Sequence, residues 1–137
     1  MSLDPAEITA RFEGLASTDS SAVFFDNVAD DVDWTVMGDH PLAGRYRSKA
    51  DFYAATFARL NEVLEGGVKL VVEHVHISGN VVVAELRSIS TAIDGTPFDN
   101  RYCWVCELDD AGRVVVVRAY LDSALVRDLL DRCEPAA

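Results

Sequence analysis

FDNRYCWVCELDDAGRVVVVRAYLDSALVRDLL, residues 98–130, holds two β-rich runs around a cluster of turn formers, Asp109-Asp110-Ala111-Gly112. That order predicts a hairpin followed by a short helix. Counting outward from a four-residue turn sets Leu108 against Arg113, Cys106 against Val115, Trp104 against Val117, Tyr102 against Ala119 and Asn100 against Leu121; opposed residues share a face. On the second strand Val115, Val117, Ala119 and Leu121 are apolar, and Arg118 and Tyr120 alternate with them, so the apolar set is expected to face the core. Asn100, Tyr102, Trp104 and Cys106 follow it inward. A buried row that includes Asn, Tyr and Trp needs hydrogen-bond partners, which points to a lined cavity and not to a uniformly oily core.

The chain of 137 residues is expected to form one domain, 1–137, with its own core. A net charge of −11 argues against nucleic acid and against anionic membrane surfaces, where phosphates would repel it. No basic segment precedes an apolar run at the N-terminus, and no apolar stretch is long enough to span a bilayer, so a cytoplasmic location is expected. The odd count of three cysteines fits a reducing compartment. Cys103 and Cys106 form a C-x-x-C spacing, but residues three apart on a strand point to opposite faces and cannot share a metal or close easily into a disulfide.

Upstream, Asp4-Pro5-Ala6-Glu7 is a helix start, with an N-cap acid, Pro at the first helical position and an acid in the first turn. The helix is expected to run to about Leu15, with Ile8, Phe12 and Leu15 on its buried stripe. A second helix from Asp19 to Ser21 onward carries Val23, Phe24 and Val28 up to a break at Asp30-Asp31. Val32 to Met37 alternates as a short strand with Val32, Trp34 and Val36 on one side. Gly38 to Arg47 reads as a loop. Ser48-Lys49-Ala50-Asp51 opens a helix that presents Phe52, Phe57, Leu60 and Leu64 before Gly66-Gly67.

Four strands follow, Val68 to Ile77, Val81 to Thr91, Phe98 to Leu108 and Val114 to Leu121, and their short links favour an antiparallel meander. Parity puts Val82, Ala84, Leu86, Ser88 and Ser90 inward. It also puts Leu70, Val72, His74 and His76 inward, unless a two-residue Gly79-Asn80 turn reverses the order. The fold expected is α+β, a cone-shaped curved antiparallel sheet wrapped around N-terminal helices, with a cavity between the layers.

The run DDVDWTVMGDHPLAGRYRSKADF, followed by FDNRYCWV and GRVVVVRAYLD, resembles the nuclear transport factor 2-like (cystatin-like) superfamily, in its SnoaL-like and ketosteroid-isomerase-related branch. The likeness extends over nearly the whole chain, and it implies the cone fold more specifically than any one reaction. Steroid isomerases of this kind use a tyrosine on the first helix, an aspartate base on the first strand and a protonated aspartate on the next-to-last strand. The matching places here hold Phe12, about Val36, and Trp104. Limonene epoxide hydrolases, similar in fold, use an Arg and two Asp whose places match Leu86, Ser88 and Ala119. Neither catalytic set is carried by this chain.

The candidate site is therefore read from the residues themselves. Tyr102 is placed to donate a hydrogen bond to a ligand carbonyl, as oxyanion donors do, or to a backbone group. Asn100 and Ser88 extend the polar patch. Trp34 and Trp104 would form flat apolar walls, with Phe12, Val36 and Ala119 completing the lining. His40, on the loop after the first strand, could gate the mouth or serve as acid or base. Asp122 stands where an N-cap is expected, at a strand end where a catalytic role is also open; Asp33 has outward parity. His74 and His76 lack a carboxylate spaced to join them, and no metal site or cofactor is expected.

Two function classes follow. One is a cofactor-independent protein that binds a small hydrophobic molecule, steroid- or polyketide-like, and acts on it as an isomerase, cyclase or hydrolase through Tyr102, His40 and Asp122. The other is a noncatalytic ligand-binding or dimerisation module. The outer hairpin face, with Cys103, Val105, Val114, Val116 and Tyr120, suggests a homodimer through the sheet.

Overall fold

The computed structural model describes residues 3–135. Asp4 accepts a hydrogen bond from the Ala6 N–H and Pro5 begins α1 (Pro5–Glu13), which tightens into a 3-10 turn at Gly14–Ala16. Ile8, Phe12 and Leu15 are buried as their spacing predicts. The next helix is a single turn, α2 (Ala22–Phe25), in which Phe24 takes the core position and Val23 is 49% exposed.

β1 (Val28–Val36) starts earlier than the sequence suggests. Asp30 and Asp31 were expected to break the chain, yet they lie within the strand. The pairing register shifts between Val28 and Asp33, and at this irregularity both acids reach solvent without ending the ladder. The segment expected to be loop contains β2 (Gly44–Tyr46), paired antiparallel with β1. Ser48 caps α3 (Lys49–Ala55) by accepting from the Asp51 N–H, as its box predicts. The helix expected to continue is interrupted at Thr56 before α4 (Phe57–Val63); the Thr56 hydroxyl donates to the Phe52 carbonyl at 2.7 Å, a back-bond that bends helices.

The main sheet contains β3 (Leu70–Ser78), β4 (Val81–Ser88), β7 (Arg101–Leu108) and β8 (Val114–Leu121), in the order β2-β1-β8-β7-β4-β3. β5 (Ser90–Thr91) and β6 (Pro97–Phe98) form a small separate hairpin, so the strand expected to reach Thr91 ends at Ser88. The meander is antiparallel as expected, but β1 joins it parallel to β8. α5 (Ser123–Cys133) closes one end, with Asp122 accepting from the Ala124 and Leu125 N–H groups.

The central hairpin is slipped from the simple count. Tyr102 faces Leu121, Trp104 faces Ala119 and Cys106 faces Val117, while a bulge after Glu107 brings Leu108 opposite Val114. The slip spans two residues, so Asn100, Tyr102, Trp104 and Cys106 keep their inward parity beside Val117, Ala119 and Leu121. Val114, expected outside, is 3% exposed, and Val115, expected inside, is half-buried at the bulge.

His74 and His76 are exposed and not inward. A second bulge, between Val72 and His74, and a two-residue Gly79-Asn80 turn with φ +60° at Gly79 together turn Val75 and Ile77 toward the core instead. No helix among the described residues is long and apolar enough to cross a membrane.

Candidate functional site

Between the inner face of β1, β7 and β8 and the helices α3, α4 and α5 lies a small chamber of about 40 Å³. The sheet contributes Trp34, Val36, Tyr102, Trp104, Ala119 and Leu121; the helices contribute Phe52, Thr56, Phe57, Leu60 and Val126; Leu42 closes it from the loop. Large aromatic rings occupy most of the cone. Phe52 stacks on Trp34 with centroids 3.7 Å apart, and Trp104 meets Trp34 edge-on at 5.2 Å. The slipped register makes this fit possible, because it sets Trp104 across from the small Ala119.

The lining has no carboxylate or imidazole among the described residues. Its side chains with polar atoms are four, Thr56, Tyr102, Trp34 and Trp104. The Thr56 hydroxyl already donates to Phe52. Tyr102 is partly buried, and desolvation holds its phenol above the usual range, with the neighbouring Asn100 side chain working the other way. It is therefore a proton-bearing donor throughout the neutral range. Trp34 is fully buried, and its Nε1 has no hydrogen-bond partner. An unpaired buried donor is costly, about 1–3 kcal/mol, so this indole stands out from its surroundings.

Of the residues singled out from the sequence, Trp34, Val36, Tyr102, Trp104 and Ala119 meet in the chamber. Phe12 packs deeper, against Phe24 at 5.0 Å. Asn100 is completely buried but spends its amide on backbone: Oδ1 accepts from Arg101 and Asp122, and Nδ2 donates to the Asp122 carbonyl. It ties β7 to the start of α5. Ser88 accepts from the Ser90 N–H at 3.3 Å at the far end of β4.

His40 is buried, where an open loop was expected. Its Nδ1 accepts from the Leu42 N–H at 3.2 Å and its Nε2 lies 2.9 Å from the Met37 carbonyl, a pattern that fits the neutral ring with its proton on Nε2. The imidazole pins the loop that carries Leu42 to the chamber. Asp122 caps α5. Asp33 points outward, and the Arg45 guanidinium holds its carboxyl below the usual range. Cys103 and Cys106 sit on opposite faces as free thiols, and burial pushes the Cys106 thiol up to about 12.

Sequence reasoning did not single out Thr56, Leu42 or Val126. Phe52, Phe57 and Leu60 were legible as a helical stripe, without a sign that they face a chamber.

Residues 8–117 match the SnoaL-like domain. The chain belongs to that family. Over 111 residues this SnoaL-like chain is 32% identical to the dimerizing cyclase phiC of Fungal sp., covering 78% of this chain and 49% of that protein. The chain thus spans about half the length of that curated relative. A nuclear transport factor 2-like protein from Burkholderia thailandensis superposes with a TM-score of 0.73 at 26% identity, over 93% of this chain and 98% of that one. TerC, crystallised with polyporic acid, superposes with a TM-score of 0.69 at 20% identity, over 91% and 98% of the two chains. The SnoaL-like scaffold expected from the sequence resemblance is the one observed, with a curved sheet wrapped on N-terminal helices.

Proposed function

We propose that this SnoaL-like domain, as a single unit, binds a small hydrophobic organic molecule of steroid or polyketide type in the cone, without a cofactor. The observation that carries this is an apolar wall of packed aromatic rings whose few hydrogen-bond donors belong to Tyr102, Trp34 and Trp104. Such a lining orients an apolar ligand through its oxygen. Any reaction would be isomerisation or cyclisation of a carbonyl compound, with the protein acting as a mould and Tyr102 stabilising charge on the oxygen. A cyclase among its relatives agrees with that class. His40 and Asp122 would support the site by holding the loop and α5 in place.

The chamber, at about 40 Å³, is far below the roughly 300 Å³ of ordinary ligand sites. A ligand of that size therefore displaces Phe52 or Leu60, and the interruption at Thr56 is where this wall gives. The same small volume favours a second reading, a noncatalytic binding or dimerisation module. The half-buried Val105, Val116 and Cys103 and the exposed Tyr120 would then form a homodimer face on the outer sheet, in a cytoplasmic protein whose three thiols stay reduced.

A panel of steroid enones and aromatic polyketide ketones, assayed for binding and turnover with wild type and Tyr102→Phe, separates these readings. Binding with turnover that falls at least about tenfold in the variant supports the enzyme. Binding without conversion supports the noncatalytic reading, and no binding at millimolar ligand removes the chamber from consideration.

A further inference from the structure

We propose that the loop from Gly38 to Gly44 is a lid over the chamber, latched shut by the neutral His40 imidazole and released when that ring takes up a proton. This concerns the wall itself and stands whether or not the chamber binds a ligand.

The loop joins β1 to β2, and the sheet fixes it at both ends. The Met37 N–H donates to the Ala119 carbonyl at 2.9 Å, and Gly44 pairs with Val36. Gly38 and Gly44 have φ of +111° and +149°, a region that glycine enters without steric cost, so a hinge stands at each end. Between residues 38 and 44 only His40 and Leu42 are buried; Asp39 and Pro41 face solvent. Leu42 is the loop's contribution to the chamber wall. Its N–H donates to His40 Nδ1 at 3.2 Å, its carbonyl accepts from the Tyr46 hydroxyl at 2.7 Å, and the ring's Nε2 lies 2.9 Å from the Met37 carbonyl.

This latch works in one protonation state. Nδ1 must be bare to accept the Leu42 N–H, and the single proton of the neutral ring then sits on Nε2, toward Met37. A second proton goes onto Nδ1, sets N–H against N–H, and charges a ring that is 9% exposed. Among the described residues no carboxylate is hydrogen-bonded to that ring. The ionisable groups around it are Asp39 on the loop, Asp33 on β1, Arg45 and Tyr46 on β2, Arg59 on α4, and Asp122 and Glu134 at the two ends of α5. Asp33 pairs with Arg45 on the outer face, Glu134 pairs with Arg59, Asp122 caps α5, and Tyr46 is spent on Leu42. Exposed Asp39 is left as the acid nearest in the chain. A charged imidazole is therefore better satisfied in water beside Asp39 than in the wall, and as it leaves it draws Leu42 out with it.

Trp34 and Trp104 are the chain's two tryptophans and both line the chamber, so quenching of their fluorescence by acrylamide reads the lid. Between about pH 7.5 and about pH 5 the quenching constant of wild type should rise at least about twofold, and protection of the Leu42 amide from hydrogen exchange should fall at least about fivefold. His40→Asn keeps an acceptor for the amide two residues on but takes up no proton, so both readings should stay flat. A flat response in wild type, or the same rise in His40→Asn, would overturn the lid. The wild-type ring signals decide the matter even where the variant does not fold. The His40 nitrogens should titrate in step with the Leu42 amide, and a ring still neutral at about pH 5 contradicts the proposal. So does a loss of far-ultraviolet circular dichroism over the same span, because acid would then be unfolding the domain and not opening a loop.

Discussion

Alternate residues of the same strands build two unlike surfaces. The inner face of β7 and β8 presents Trp104, Cys106, Val117 and Ala119, packed to near-complete burial. The outer face, one residue away along the chain, is laced with ion pairs, Glu107 with Arg118 at 2.7 Å and Glu73 between Arg87 and Arg101, and with a His76–Glu85 hydrogen bond of 2.7 Å. Between these charges lie the half-buried Cys103, Val105 and Val116. Inside, shape decides what fits, because dense packing of rings leaves little slack. Outside, exposed pairs contribute little to stability and tolerate rearrangement, which suits a surface free to meet a partner. Function that depends on geometry is therefore sought within the cone.

Substitutions should divide along the same line. Trp104→Ala removes a ring that touches Trp34, Phe24 and Tyr102, and should cost about 3–5 kcal/mol in urea unfolding. Val105→Ala, its neighbour on the outer face, should cost less than about 1 kcal/mol in the same experiment. Similar losses for the two would erase the distinction between faces. Asn100→Ala sits at the rim and tests a different point: it strips partners from the Arg101 and Asp122 N–H groups, with an expected loss of about 1–3 kcal/mol. If Asn100 instead serves the ligand alone, stability stays level and only affinity falls.

The pH dependence gives a smaller and more local difference. Burial raises the Tyr102 hydroxyl on folding. Its stabilising contribution is intact below the usual phenol value of about 10 and is lost as pH climbs through the raised folded value. Cys106, pushed up to about 12, loses stability over part of the same span, beginning from a lower thiol value. Unfolding midpoints from about pH 8 to about pH 11 should fall less steeply for Tyr102→Phe than for wild type. Parallel curves would mean that the phenol is hydrated and takes no part in the chamber wall.

Much of the fold was legible because burial repeats every second residue on strands and every third or fourth on helices. The inward row of Tyr102, Trp104 and Cys106 followed from that period, and the caps at Asp4, Ser48 and Asp122 from residue type. What escaped were the irregularities. The bulge after Glu107 leaves no mark in a pattern of alternating valines, so Val114 is expected outside; the outward turn of His74 and His76 comes from the bulge after Val72, equally unmarked, together with the two-residue Gly79-Asn80 turn that the sequence left open. The parallel join of β1 to β8 spans most of the chain and has no local signal. The site was half legible: parity put Trp34, Tyr102, Trp104 and Ala119 on one side, but their packing against Phe52 and the break at Thr56 are tertiary facts. His40 looked like an exposed loop residue because its two backbone partners, Met37 and Leu42, identify themselves only once the loop is folded.

Everything turns on whether an apolar carbonyl compound enters the cone. Methyl resonances of Val36, Leu42, Leu60, Leu121 and Val126 report on the inside, and those of Val105 and Val116 on the outside. Titration with 1-tetralone, a flat bicyclic ketone, should shift the first group saturably and leave the second in place. Saturable shifts confined to Val105 and Val116, or none in either group, would contradict a ligand-binding chamber.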